Sequence, residues 1–130
     1  MSEQGKKFDN GKPDMQLIPM AAAFEEAAVW TYGKAKYDAW NWYKGIPYDR
    51  ILSAMERHLT LLKAGLDFDY ENGLHNGAAI RCCAGMLIQF TVEGRTDLDN
   101  RIPMSKENQE KMNKMAQGIS ISELLKNDKN

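Results

Sequence analysis

Three carboxylates and an imidazole fall within nine residues, Asp67-Phe68-Asp69-Tyr70-Glu71-Asn72-Gly73-Leu74-His75. In an extended segment Asp67, Asp69 and Glu71, spaced two apart, point the same way. If the chain there turns helical, Glu71 and His75 stand one turn apart on one face. Oxygen ligands suit hard divalent cations, and Mg²⁺ is usually held by one or two carboxylates plus the phosphates of a substrate. A calcium loop of the EF-hand type is excluded. It needs glycine at position six and glutamate at position twelve, and counting from Asp67 these are Asn72 and Ala78. The competing reading is a polar loop whose acids only cap the helix that follows.

Other residues could serve the same chemistry. Glu25 and Glu26 interrupt the apolar run from Met20 to Tyr32. An acid is costly to bury unless paired or metal-bound, so at least one is expected to face a polar site. Tyr37, Trp40, Trp42 and Tyr43 lie close together, with Lys34, Lys36 and Lys44 around them. Aromatic faces can stack a nucleobase and lysines can neutralise phosphate, although these rings could equally pin a loop to the core. Arg50 and Arg57 are two helical turns apart and share a face, with His58 beside them. Cys82 and Cys83 are adjacent inside a helical pattern and read as reduced core residues.

These residues need helices to hold them. The chain has 130 residues, the size of one ordinary domain, and a net charge of −1, which argues against binding a polyanion by bulk charge. No apolar run approaches a membrane span, and Met1-Ser2-Glu3-Gln4-Gly5 begins no secretory segment, so a cytoplasmic protein is expected. A first helix is predicted from about Pro19 to Gly33, with a seam of Phe24, Ala27, Ala28 and Thr31. A second runs from an Asp49 N-cap to about Lys63 and is closed by Gly65, with Ile51, Met55, Leu59 and Leu62 at helical spacing. A third runs from about Gly73 to Val92 and ends at Gly94. Leu74, Ala78, Cys82, Met86 and Phe90 form its stripe, and small residues such as Gly77 and Gly85 admit a close neighbour. Residues 105–117 form at most a solvated helix, and Ser120-x-x-Glu123 fits a capping box for a last short one. The expected fold is all-α: three main helices plus a polar C-terminal helical appendage, completed by oligomerisation to a dimer or tetramer. Its expected divisions are an arm at 1–17, a catalytic, nucleotide-binding core at 18–93 and an extension at 94–130. Part of the arm, with Phe8, Leu17 and Ile18, is expected to dock.

Several motifs occur in a fixed order. They are Lys7-Phe8-Asp9-x-Gly11-Lys12-Pro13, Leu17-Ile18-Pro19, Tyr32-Gly33-x-x-Lys36-Tyr37, Asn41-Trp42, Arg57-His58 and Asp67-x-Asp69-x-Glu71-x-Gly73. Over residues 6–92 the chain resembles the phage-associated dATP/dGTP diphosphohydrolase family. That family is a branch of the all-α nucleoside triphosphate pyrophosphohydrolases, which include MazG and the dimeric dUTPases. The resemblance implies a metal-dependent enzyme that cuts a purine deoxynucleoside triphosphate between the α- and β-phosphates. In the superfamily, acids on two helices bind Mg²⁺, commonly as E-x-x-E followed by E-x-x-D. Here Ala28 and Val29 stand where the second acid of the first pair is expected.

On this reading Glu26, Asp69 and Glu71 are the catalytic candidates, one carboxylate accepting a proton from the attacking water. Glu25, Glu26, Asp67, Asp69 and Glu71, with His75 as an outer or late ligand, would hold Mg²⁺ or Mn²⁺. Lys34, Lys36, Arg50 and Arg57 would neutralise the phosphates, and Asn41 and Trp42 would hold the base, with Tyr37 and His58 as further substrate contacts. No nucleic-acid polymer and no membrane are expected as partners. If the chain is phage-encoded, its compartment is the host cytoplasm. Two rivals remain: a protein of the same fold that binds a nucleotide without cutting it, and a helical interaction module whose acidic loop is only surface.

Overall fold

The computed structural model describes residues 3–128, with side chains through 126; the outermost residues of the arm and tail lie outside them. The chain is all-helical, with helices α1 (Met20–Lys36), α2 (Tyr48–Lys63), α3 (Asn76–Val92), α4 (Lys106–Ala116) and α5 (Ile121–Asp128). It divides into two compact units, residues 1–99 and 100–130. In the first unit α3 packs against both α1 and α2.

The helix limits follow from local chemistry. Pro19 and Pro47 precede α1 and α2, where a missing N–H costs nothing. Asp49 falls in the first turn of α2, where a carboxylate favours the helix dipole, and is not the N-cap. α1 runs past Gly33 to Lys36, and Lys34 and Lys36 occupy the last turn, where cations are favoured. α2 ends in a Schellman motif at Gly65 (φ +84°): the Leu66 N–H reaches the Leu61 carbonyl and the Gly65 N–H the Leu62 carbonyl, both at 3.0 Å. α3 starts at Asn76, three residues later than the sequence pattern suggests, because His75 caps it by accepting the Gly77 N–H through Nδ1 at 2.8 Å. In the second unit Ser105 caps α4 and the Glu123 N–H reaches Ser120 Oγ at 3.3 Å, as the capping-box pattern predicts.

The core of the first unit is Tyr48, Ile51 and Phe90, with Trp42, Ile46, Met55, Cys83, Met86, Leu87 and Leu98 packed on it. Trp42 is thus anchored by the core, its ring centroid 5.6 Å from that of Phe90. The α3 stripe behaves largely as its spacing predicts: Ala78, Cys82 and Phe90 are buried and Met86 partly so, while Leu74 lies in the loop before the helix. The α1 seam does not. Phe24 is 79% exposed, and Ala27 and Thr31 are exposed as well. α1 meets α3 through the opposite face, which carries Glu26 and Trp30. Nor does the arm dock within this chain, since Phe8 and Leu17 are both at least 80% exposed.

Candidate functional site

The 3-10 turn Asn41–Lys44 carries the aromatic segment from α1 to α2, and clefts open around it. One, of about 870 Å³, lies between this turn, α2 and α3, and its walls include Tyr37, Asn41, Lys44, Asp49, Arg50 and Arg57. A narrower cleft of about 230 Å³ adjoins it, sharing Tyr37, Asn41, Ile46 and Met86, and adds Tyr32, Lys34, Lys36 and Trp42. The structure therefore collects Lys34, Lys36, Tyr37, Asn41, Trp42, Arg50 and Arg57, which lie up to 23 positions apart in sequence, along two joined clefts. Among the described residues Lys34, Lys44, Arg50 and Arg57 form no salt bridge to a carboxylate. Arg57 Nη1 is steadied by donating to Ser53 Oγ at 3.1 Å. Cations left without carboxylate partners in a cleft suit an anionic, multiply charged ligand such as a phosphate chain.

The acidic segment does not form the cluster its spacing suggests. It is a closed loop, not the start of a helix. Phe68 bridges to His75, the Asp69 N–H donates to the Leu74 carbonyl, and the Gly73 N–H donates to the Asp69 carbonyl, the last two at 2.8 Å. Within the loop the three carboxylates have different surroundings. Glu71 Oε1 accepts from Lys36 Nζ at 3.0 Å and from Tyr32 OH at 2.9 Å, which ties it to two α1 residues that line the narrow cleft. The Lys36 ammonium, and then the Tyr32 hydroxyl, hold its carboxyl below the usual range. The same contact raises Lys36 and Tyr32. Asp69 has other partners. Its Oδ1 accepts the Glu71 N–H at 2.7 Å, and its Oδ2 lies 3.7 Å from His58 Nδ1. Asp67 is exposed, and its carbonyl accepts the Asn76 N–H at 2.8 Å.

The two acids of α1 are half-buried, and both have partners. Glu26 accepts from Trp30 Nε1 and Arg81 Nε, each at 3.0 Å. Glu25 accepts the backbone N–H of His75 at 2.9 Å. Glu25, His75 and Arg81 line a separate cleft of about 460 Å³. Glu71 and His75 therefore do not share a helix face, because both precede α3. His58 lines none of these three clefts. Its Nδ1 faces Asn76 Oδ1 at 2.7 Å. Among the described residues no three His, Cys, Asp or Glu side chains come close enough to hold one metal ion. With Lys36, Arg81 and backbone N–H groups already on the carboxylates, this donor set does not fit a preformed divalent cage.

Spacing alone assigned no role to Tyr32, Asn76 and Arg81. Arg81 carried a usable signal: a single charge in an apolar helix needs an acid opposite, as Glu26 needed a cation. Asn76 carried none, since its role depends on the fold of the preceding loop.

The family model described as dATP/dGTP diphosphohydrolase, N-terminal, matches residues 2–101. The chain belongs to that family. A dATP/dGTP diphosphohydrolase of Salmonella phage PMBT28 is 37% identical over 97 residues, covering 75% of this chain and 33% of that protein. The chain thus spans about a third of the length of this curated relative. No solved structure matches significantly. The region shared with the family includes both joined clefts and the acidic loop, and the match ends close to the boundary of the first compact unit.

Proposed function

We propose that the first unit binds a purine deoxynucleoside triphosphate, dATP or dGTP, and takes part in its hydrolysis to monophosphate and pyrophosphate. The observation that carries this is the gathering of Lys34, Lys44, Arg50 and Arg57, unpaired with acids, in joined clefts of a chain of this family. Phosphoryl transfer is mostly positioning and charge neutralisation, and these cations supply both. Glu71, with its carboxyl held low, is a weak proton acceptor and better suited to fixing Lys36 at the cleft wall.

The test is chromatography of each common NTP and dNTP after incubation with the protein and Mg²⁺ or Mn²⁺. Monophosphate and pyrophosphate from dATP or dGTP support the reading, and intact nucleotides refute it. Mg²⁺ is commonly held by carboxylates together with substrate phosphates. Titration with Mg²⁺ alone should therefore give no calorimetric signal, whereas Mg²⁺ should bind when the nucleotide is present.

The partnered state of Glu25, Glu26 and Glu71 favours one second reading, a nucleotide-binding protein that does not cut. It predicts a nucleotide-dependent rise in melting temperature with the ligand unchanged after long incubation.

Self-association belongs to the same proposal. Met20 and Phe24 on α1, and Ile88 and Val92 on α3, are each at least 65% exposed and sit one turn apart in pairs. Such apolar surface marks an interaction site. We expect sedimentation to give a dimer or larger species that Phe24→Glu dissociates; a monomeric parent chain would refute this.

A further inference from the structure

A fourth cleft, of about 450 Å³, borders the narrow one, and the two share Trp30, Lys34, Ala39 and Trp42. Trp40 and Gln89 complete its working walls. All three tryptophans of the chain line it. Trp30 and Trp42 have centroids 5.3 Å apart, Trp40 and Trp42 6.1 Å, and the Trp40 ring is 69% exposed. Gly85 leaves the α3 side open to the Trp30 ring: a Cβ placed there would lie 3.8 Å from it.

The polar groups of this cleft are oriented. Gln89 Nε2 donates to Glu93 Oε2 at 2.9 Å, and a carboxylate can only accept, so the amide orientation is fixed and Oε1 is the end left to a ligand. Glu93 is itself held by the Tyr43 hydroxyl. The Thr31 hydroxyl donates to the Ala27 carbonyl at 2.8 Å, which leaves its oxygen as an acceptor too. The cleft therefore offers indole faces, an acceptor edge and one cation, Lys34, on the side shared with the phosphate clefts.

We propose that this cleft is the base subsite: a purine ring stacks on Trp40, and its amino or ring N–H group donates to Gln89 Oε1. This rests on the nucleotide reading above and gives it a direction, with the base at the tryptophan end and the phosphates toward Arg50 and Arg57. Indole faces and an acceptor edge suit a flat, neutral bicyclic ring with N–H donors, whereas an anion would find only Lys34.

Because every tryptophan lines the cleft, intrinsic fluorescence reports on it directly. The full chain is titrated with deoxyadenosine, deoxyguanosine, purine deoxyriboside (which lacks the amino group) and thymidine. Saturable quenching by the amino purines is expected, with weaker response to the other two. Trp40→Ala should weaken the binding of deoxyadenosine and deoxyguanosine about tenfold or more. Gln89→Leu should remove the advantage of the amino purines over purine deoxyriboside. Both side chains are exposed, and far-UV circular dichroism is to check that the variants fold. Equal nucleoside affinities in parent and variants, or no saturable quenching, would overturn the proposal even if dNTP hydrolysis is observed. The expected quenching pattern without pyrophosphate release would leave the base subsite standing and remove the enzymatic reading.

Discussion

Asn76 is the most informative residue to perturb. It is 0% exposed, at the first position of α3, and it joins three segments. Its Nδ2 donates to the Leu66 carbonyl at 3.0 Å, so Oδ1 must be the atom facing His58, 2.7 Å away. A carbonyl oxygen can only accept, and His58 Nδ1 therefore carries the proton. Asn76→Leu keeps the volume and removes both bonds. Each buried partner left unsatisfied costs about 1–3 kcal/mol. The His58 ring is 21% exposed, so water recovers part of that side, and the expected loss is about 2–4 kcal/mol. For a unit of this size that lowers the melting temperature by roughly 10–25 °C. Urea unfolding followed by circular dichroism measures it. A cycle with His58→Ala should show coupling of about 1 kcal/mol or more, since the two side chains touch. A loss below about 1 kcal/mol, or energies additive within about 0.5 kcal/mol, would show that this contact does not hold the start of α3 to α2.

Other expectations follow from the site. Arg57→Ala and Arg50→Ala should each weaken dNTP and pyrophosphate binding about tenfold, with stability changed by no more than about 0.5 kcal/mol for the exposed Arg50; unchanged affinity in both would remove the phosphate assignment. Glu71 has a depressed carboxyl, so its pairing with Lys36 and Tyr32 stabilises at neutral pH and is lost as pH falls through the carboxyl's lowered range. The melting temperatures of the parent and Glu71→Gln should therefore converge in acid, by a small margin because the pair is exposed; a constant gap from pH 7 to pH 3 would contradict this. Burial pushes the Cys82 thiol up to about 12 and raises Cys83 as well, so both should resist iodoacetamide in the native state and react after unfolding. Cys83 lines the larger cleft, so on the proposed reading nucleotide should slow whatever native labelling it shows, as mass spectrometry would detect.

How much of this was legible in the sequence depends on which interactions decide each feature. Helix positions were, because proline, glycine and cap residues act within a few positions. The α3 stripe was, because that helix is flanked by α2 and α1 and its period of 3.6 meets a real core. The cation clefts were legible as a residue set but not as a place: nothing local says that Lys34 and Arg57 line adjoining clefts. The acidic segment misled for a definite reason. Alternation by two assumes an extended chain, and helix spacing assumes a helix, whereas the Asp69–Leu74 and Gly73–Asp69 bonds make a closed loop in which neither rule governs direction.

The failed α1 seam is a different kind of error, and it bears on assembly. Residues 20–32 are apolar on nearly every face, interrupted chiefly by Glu25 and Glu26. Periodicity cannot choose a buried face when two faces qualify, and a helix that is apolar all round is ordinarily covered all round. Here the inward face carries Trp30, which packs on Trp42, together with the acids that find partners. Glu26 needs Arg81, and Glu25 needs the N–H at the start of α3, so the acidic face turns inward and Phe24 outward. The acids of α1 therefore do two things at once: they seat α1 on α3, and they leave Met20 and Phe24 facing out. If Glu26→Gln loosens α1 from α3, it should also weaken self-association, because the outward face would no longer be held in one orientation.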